Sequence, residues 1–166
     1  MDLASGTFED QDIEAHGMGA GIIPLARDPT TGVFHLLLGR ERFSQSWKGS
    51  HRWSGFEGSR KPGETMHTTA VREFSEESLE VVRFPCPTVT ETVDAGKHWL
   101  RIVRQIVTDR KPRRYHFTYV VPVEWDRTLS NRFEDVRNAL REVKALSEHL
   151  DVEYPNHVYT TQVPRG

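Results

Sequence analysis

The sequence has little of what marks membrane, secreted and disulfide-stabilised proteins. Its 166 residues include a single cysteine, so no disulfide can form within the chain. No apolar run approaches the length of a membrane span or of a secretory signal. These absences predict an intracellular, cytoplasmic protein with no membrane partner.

The chain also lacks a strong charge of either sign, an internal repeat and any low-complexity segment. The net charge is -2, with 36% hydrophobic and 28% charged residues, which are ordinary values for a globular domain. The overall charge therefore gives no indication of a nucleic-acid partner. We predict one domain over residues 1–166, with residues 1–16 as a loose arm or late strand and residues 151–166 as an irregular tail.

What the sequence does contain is a crowded acidic stretch on a predicted helix. The helix is predicted over residues 65–79, because Thr65 is a suitable N-cap and no proline or glycine follows within that range. Glu73, Glu76 and Glu77 stand at helical spacing and point the same way. Such crowding is unfavourable unless a cation neutralises it, which favours a site for Mg²⁺ or Mn²⁺. A solvated acidic helix face is the alternative interpretation.

The spacing around these carboxylates resembles the signature of the Nudix hydrolases, G-x5-E-x7-R-E-U-x-E-E-x-G-U, where U is a bulky apolar residue. The matching positions are Gly58, Glu64, Arg72, Glu73, Phe74, Glu76 and Glu77. Two positions depart, since the final glycine is Leu79 here and the apolar residue after it is Glu80. Glycine at that position adopts a left-handed conformation at low cost, so Leu79 predicts a different exit from the helix.

The resemblance implies that three acidic residues are catalytic and also bind the metal ion, namely Glu73, Glu76 and Glu77. It implies the Gly58 carbonyl as a further metal ligand, and Glu64 with Arg72 as a pair that braces the loop against the helix. The implied reaction is the metal-dependent hydrolysis of a diphosphate linkage in a nucleoside diphosphate linked to another group X. The residue types suit it, because a bound divalent ion neutralises phosphate oxygens and makes water more acidic.

The general base is left open by the resemblance, because family members differ in where it lies. Glu73 and Glu76 are the first candidates, and Glu134 is a third. Glu57 stands beside the box, next to Gly58, where many members have glycine. It is either an accessory ligand or an ordinary loop residue.

A basic segment over residues 40–52 precedes the box and is expected to approach the substrate. Its predicted substrate-binding residues, together with the tryptophan that follows, are Arg40, Arg42, Arg52 and Trp53. A solvated basic loop is the alternative. The predicted partner is a nucleotide-type phosphoanhydride, bound by a monomer or a homodimer.

Two other functions remain open. The basic stretch over residues 109–114 suits a larger polyphosphate, such as the 5′ cap of RNA or an inositol pyrophosphate. The other alternative is a non-catalytic nucleotide-binding module that keeps the fold.

The fold class predicted from these features is α/β. The resemblance implies a Nudix-type α/β/α sandwich, with a mixed sheet between the box helix and a C-terminal amphipathic helix. Strands are predicted over residues 18–26, 33–39, 97–108 and 115–123, a further strand starting at residue 81, an edge strand over 89–93, and a turn over 27–32. The C-terminal helix is predicted over residues 131–150 with Ser130 as its N-cap. The glycines at 17, 19 and 21 predict a close approach of another backbone or a phosphate to the first strand.

Overall fold

The computed structural model describes residues 13–40, 52–83, 100–106 and 113–149. Within these ranges two long helices accompany short and long strands, which confirms the predicted α/β class. The helices are α1 (Met66–Ser78) and α2 (Leu129–His149). The strands are β1 (Gly17–Arg27), β2 (Phe34–Leu36), β3 (Gly39–Arg40), β4 (Trp53–Ser54), β5 (Phe56–Ser59), β6 (Leu100–Ile106) and β7 (Arg114–Pro122).

Strand β1 is the centre of a mixed sheet. It runs parallel to β7 on one side, and β6 continues the sheet antiparallel to β7. On its other side β1 pairs antiparallel with β5 near its start and with β2 near its end. Strands β3 and β4 form a separate antiparallel pair. The strands predicted over residues 18–26 and 115–123 are confirmed, as is the described part of the strand over 97–108.

The turn between β1 and β2 forms where it was predicted. The Thr30 N–H donates to Asp28 Oδ1 at 2.8 Å, and Gly32 adopts a φ of 72°, which a glycine does without strain. The partner strand is shorter than the predicted 33–39, since β2 ends at Leu36 and the chain leaves the sheet to form β3.

Two glycines of β1 let β5 lie against it. A Cβ atom at Gly19 would overlap the Gly58 carbonyl oxygen, and one at Gly21 would overlap Glu57. The prediction of a close backbone approach to this strand is therefore confirmed, and the approaching segment is the start of the box.

Helix α1 packs on the face of the sheet formed by β1, β5 and β7. Thr65 caps it as predicted, with its side chain accepting the Thr68 N–H. Its buried residues Met66, Ala70 and Phe74 form one core with residues of the strands, namely Ala20, Ile22, Phe56, Tyr115, Phe117, Tyr119 and Val121. The Phe56 and Phe74 rings meet edge to face, with centroids 5.2 Å apart. Burying a phenylalanine contributes about 1.5–3 kcal/mol, so this core fixes α1 on β5.

The exit from α1 corrects the prediction made from Leu79. Leu79 takes the left-handed conformation itself, with φ 52° and ψ 28°, and Glu80 follows with φ 56°. A left-handed non-glycine residue costs roughly 1–2 kcal/mol. The turn nevertheless forms because it places Val81 in the interior, where that side chain is 8% exposed, and lets the Val81 N–H donate to the Ser78 carbonyl.

Three other predictions are wrong in the described residues. Residues 81–83 form no strand: Val81 bonds back to Ser78 at the end of α1, and Arg83 bonds to Glu124, which lies beyond the end of β7. Residues 13–15 are helical rather than a loose arm, and their carbonyls accept from the Arg60 guanidinium. Ser130 lies inside α2 and does not cap it, since the helix begins at Leu129. The predicted edge strand over 89–93, residues 1–12, residues 109–112 and the tail over 151–166 lie outside the described residues.

In the described ranges, no helix combines the length and the apolar character that crossing a bilayer requires.

Candidate active site

The glutamates of the box lie where α1 meets β5. Gly58 faces the helix, and a Cβ atom there would overlap the Glu73 carboxylate. Only glycine therefore lets this carboxylate lie against the β5 backbone. The match at Gly58 thus has a steric cause that is visible in the structure.

Arg72 and Glu64, the predicted brace, are in contact. The Arg72 Nε donates to Glu64 Oε1 at 2.7 Å, and its Nη2 donates to Glu64 Oε2 at 3.1 Å. The same Nη2 donates to the Ser59 carbonyl at 2.9 Å, which ties the guanidinium to β5 as well. A planar guanidinium bound through two nitrogens is held in one orientation.

The Glu64 carboxylate has further donors that the sequence did not indicate. The Lys61 N–H and the Thr69 hydroxyl each donate to Glu64 Oε2 at 2.9 Å. The Arg72 hydrogen bonds, followed by those from Lys61 and Thr69, lower the pKa of the Glu64 carboxyl to about 2. Glu64 is therefore an anion at any pH at which the enzyme would work. No local pattern marks Thr69 as its partner, because the contact depends on how the loop folds back.

The other arm of Arg72 reaches two of the predicted metal ligands. Its Nη1 lies 2.5 Å from Glu73 Oε1 and 3.3 Å from Glu76 Oε2, so the two carboxylates lie side by side around one cation. The Lys61 Nζ lies 3.8 Å from the second Glu76 oxygen. The hydrogen bonds to Glu64, and after them the one to Glu73, raise the pKa of the Arg72 guanidinium above its ordinary value, although burial opposes them.

Glu77 is held differently. Its Oε2 accepts the backbone N–H of Glu57 at 3.0 Å, which links the last turn of α1 directly to β5. The side chains of Glu73 and Glu76 share Arg72, while Glu77 turns toward the strand. Among the described residues, no three Asp, Glu, His or Cys side chains converge closely enough to hold a metal ion as they stand.

The donor set nevertheless fits a hard divalent cation. It consists of carboxylate oxygens on flexible side chains, grouped on one helix face, and the backbone at Gly58 has no side chain to block the approach. Glu73 and Glu76 already surround a positive charge, that of the Arg72 guanidinium. Arg72 would keep Glu64 and the Ser59 carbonyl if an ion took its place beside Glu73 and Glu76.

Glu57 has a partner that sequence reasoning missed. Its carboxylate lies 3.5 Å from Nε2 of His116 on β7, across β1, where Glu57 lies opposite Gly21 and His116 opposite Gly19. Burial lowers the pKa of His116 and Arg104 lowers it further, while Glu57 opposes both. The contact joins β5 to β7 on the sheet face away from α1. Glu57 therefore contacts Glu77 of the box through its backbone N–H, and His116 of β7 through its side chain.

A cavity of about 250 Å³ opens beside Glu77, between β3, the exit from α1 and the first turns of α2. Two of the predicted substrate-binding residues meet at its edge, where Arg40 lies opposite Trp53 in the β3–β4 pair with its Cζ 6.0 Å from the ring centroid. Trp53 is 65% exposed, and Arg52 beside it is exposed too. Arg42 lies outside the described residues.

Glu134, the third candidate for the general base, lines the same cavity as Glu77. Its carboxylate is paired with the Arg137 guanidinium one turn further along α2. The sequence places these two glutamates far apart, and it is the start of α2 that brings them to one cavity.

Comparison with known proteins identifies the family. The NUDIX domain model matches residues 15–160 of the chain. Among solved structures, the chain is similar to RenU, a Nudix hydrolase from M. smegmatis, at 16% identity over 79% of this chain and 88% of that one, with a TM-score of 0.46. A C. elegans Ap4A hydrolase is similar at 16% identity over 64% of this chain and 67% of that one, with a TM-score of 0.41. A search of curated protein sequences found no match.

The chain belongs to the NUDIX domain family, since the family model covers most of its length. It is accordingly an enzyme of the pyrophosphohydrolase class, which cleaves diphosphate linkages. Members of the family generally use divalent metal ions. The box, the brace and α1 lie within the matched residues.

Proposed function

We propose that this enzyme hydrolyses the diphosphate linkage of a nucleoside diphosphate linked to another group X, with Mg²⁺ or Mn²⁺ as cofactor. The observation that carries the proposal is the grouping of Glu73, Glu76 and Glu77 at the contact of α1 with β5, directly beside a cavity. Glu73, Glu76, Glu77 and the Gly58 carbonyl are the proposed metal ligands. A bound divalent ion would supply neutralisation of the phosphate oxygens and a water acidic enough to react near neutral pH.

The residues of the chain have distinct tasks in this proposal. The Glu64–Arg72 brace holds the β5 loop against α1, and so fixes the carboxylates relative to the strand. The proton of the attacking water passes to a carboxylate, for which Glu73 and Glu76 remain the first candidates and Glu134 the third. Arg40, which lines the cavity, and the exposed Arg52 supply positive charge that would meet substrate phosphates.

The test is a substrate panel with Mg²⁺ in which the released products are identified. The panel contains nucleotide sugars, ADP-ribose, dinucleoside polyphosphates, nucleoside triphosphates, capped RNA and an inositol pyrophosphate. We expect turnover of a nucleoside diphosphate derivative that stops in excess chelator and returns with added Mg²⁺ or Mn²⁺. Activity that persists in the chelator, or turnover of the inositol pyrophosphate or capped RNA alone, contradicts the proposal. Binding without turnover of any compound would indicate a non-catalytic module.

A further inference from the structure

The cavity beside Glu77 has apolar walls contributed by three separate parts of the fold. Phe56 comes from β5, Val81 and Val82 from the exit of α1, and Leu129 and Phe133 from the first turns of α2. Such walls suit a flat apolar surface on the ligand, since aromatic side chains and a planar ring pack well together. The phosphates of a nucleotide would be unfavourable inside it.

Among the polar residues of the wall, one is buried and has no hydrogen-bond partner in the described part of the chain. Ser78, the last residue of α1, is 1% exposed and lines the cavity, and its Oγ forms no hydrogen bond with any described residue. A helical serine ordinarily turns its hydroxyl to the carbonyl four residues earlier, but Ser78 makes no such bond to Phe74. Leaving a hydroxyl buried and unbonded costs about 1–3 kcal/mol. The ligand-free protein carries this free-energy penalty, and a ligand that forms a hydrogen bond with the hydroxyl would remove it.

The size of the cavity limits what can enter. At about 250 Å³ it is below the roughly 300–1,000 Å³ of pockets that enclose a drug-sized ligand. It has room for one ring system and not for a complete nucleotide. Because Glu77 and Ser78 are consecutive, a ring in the cavity would lie next to the carboxylates proposed to hold the metal.

We propose that this cavity takes the base of the substrate, and that the Ser78 hydroxyl selects the base by a hydrogen bond to a polar atom on the ring edge. The ligand class is a planar heteroaromatic ring attached to a diphosphate that stays outside, near Arg40 and Glu77. This inference rests on the proposed function for the diphosphate, but the cavity and the Ser78 hydroxyl make a claim about binding alone.

The test measures binding in the presence of chelator, so that no hydrolysis is needed. Adenosine, guanosine, cytidine, uridine and inorganic pyrophosphate are each titrated into the full chain by calorimetry. We expect the wild type to bind one nucleoside more tightly than the other three. Ser78→Ala should lower the affinity for that nucleoside by about 10-fold and reduce the preference among the four, as expected for one lost hydrogen bond. Its affinity for pyrophosphate should not change. Ser75→Ala, on the same helix but outside the cavity lining, is the matched control and should bind as the wild type does.

Ser78→Ala should also melt at the same temperature as the wild type or higher, because it removes an unbonded buried hydroxyl. Weaker binding by a protein of unchanged stability separates recognition from a loss of structure. A second variant, Gly39→Val, fills the cavity from β3, where a Cβ atom would meet only the Phe56 ring at 3.7 Å among the described atoms. It should abolish nucleoside binding and leave pyrophosphate binding intact.

Each remaining outcome decides the inference. The inference is overturned if the wild type binds no nucleoside at concentrations up to about 10 mM. It is also overturned if Ser78→Ala and Gly39→Val both bind nucleosides with the affinity of the wild type. If Ser78→Ala and Gly39→Val hydrolyse a diphosphate and bind the nucleosides with wild-type affinity and preference, the proposed function is supported and the base pocket is wrong. If nucleoside binding depends on Ser78 but the protein cleaves no diphosphate, the base pocket is supported and the proposed function is wrong.

Discussion

Glu77 differs from Glu73 and Glu76 in what its carboxylate contacts. It accepts a backbone N–H from β5, whereas the other two share the Arg72 guanidinium. A glutamine at position 77 could still accept that N–H through its amide oxygen. The change Glu77→Gln therefore removes the negative charge while the link between α1 and β5 is kept.

Glu77→Gln and Glu76→Gln should each lower kcat by more than about 100-fold, since loss of a group in direct contact with a metal should exceed the 10–100-fold effect of its outer partners. The measurement is steady-state hydrolysis at saturating Mg²⁺, with circular dichroism to verify the fold. Glu142→Gln, an exposed glutamate of α2, is the control and should retain full activity. Rates within 10-fold of the wild type for both box variants would show that these carboxylates do not bind the essential ion.

The backbone at Glu80 gives a second prediction at the scale of one residue. Glu80 is exposed, so burial of its side chain contributes little stability. Its φ of 56° strains the backbone, because the Cβ lies too close to the following carbonyl oxygen. Glu80→Gly should raise the unfolding free energy by about 0.5–1 kcal/mol, because relief of the strain outweighs the greater freedom of glycine in the unfolded chain. Urea denaturation measures it, and Glu80→Ala, which keeps the Cβ, should show no gain. An equal gain in both variants would assign the effect to the glutamate charge instead.

Local patterns in the sequence predicted much of the box but not its surroundings. Thr65, the absence of helix breakers and the spacing of the glutamates predicted the helix and the grouping of its acidic residues on one side. The conformation of Leu79 was mispredicted, because it depends on the burial of Val81 and not on the preference of the residue itself. The contact of Glu57 with His116 has no sequence signal at all, since it is created by the pairing of β5 and β7 with β1.

At the scale of elements, the Glu64–Arg72 brace joins the loop, α1 and β5. Arg72→Ala should lower the unfolding free energy by about 2 kcal/mol near pH 7, because Glu64 and the Ser59 carbonyl lose their charged donor. The unfolding free energy of Arg72→Lys should lie between those of the wild type and Arg72→Ala, since an ammonium cannot bond both Glu64 oxygens in the same way. Arg113→Ala, at an exposed arginine, is the control.

The same brace has a defined pH dependence. The pKa of Glu64 is about 2 in the folded protein against an ordinary value of 4.5, so the unfolded chain takes up the proton first as the pH falls. The stability contributed by Glu64 is complete above pH 4.5 and is lost toward pH 2. The difference in unfolding free energy between the wild type and Arg72→Ala should therefore narrow across this range. A difference that stays constant down to the acid end would show that Glu64 is not the main partner.

The contact between β1 and β5 can be tested through a single methyl group. A Cβ atom at Gly21 would overlap the Glu57 Cβ and the Phe56 carbonyl oxygen, so Gly21→Ala must push β5 away from β1. We expect a loss of about 1–3 kcal/mol in unfolding free energy and a lower hydrolysis rate, because β5 carries Gly58. Gly39→Ala is the matched control, since its Cβ would make only an ordinary contact with the Phe56 ring at 3.7 Å. Equal stability of the two variants would contradict this close packing of β5 on β1.

On the scale of the whole molecule, the sheet, the helices and the cavity place three kinds of chemistry next to one another. The carboxylates lie on one side of α1, the cavity at its end, and the exposed Arg40–Trp53 pair beside that. The sequence predicted the carboxylates through the box spacing, and it predicted Arg40 and Trp53 through the basic segment and the tryptophan that follows it. It could not predict the cavity, whose walls come from β5, the exit of α1 and α2.

The proposed metal site should be measurable in the stability of the whole protein, apart from activity. An ion that binds the folded state alone at 100 times its Kd stabilises that state by about 2.7 kcal/mol, which for a chain of this length raises Tm by roughly 5–10 °C. We expect Mn²⁺ or Mg²⁺ to produce such a shift and excess chelator to reverse it. NaCl at matched ionic strength separates the effect from the screening of crowded carboxylates.

The variants show where the ion binds. Glu76→Gln should lose the metal-induced rise in Tm, because one of the two carboxylates around Arg72 Nη1 is then neutral. Glu142→Gln should keep it. Arg72→Ala should lower the starting Tm but keep or increase the rise, since the ion no longer competes with the guanidinium for Glu73 and Glu76. A rise that survives in Glu76→Gln, or one that is absent from the wild type, would mean that these glutamates neutralise Arg72 and hold no metal ion.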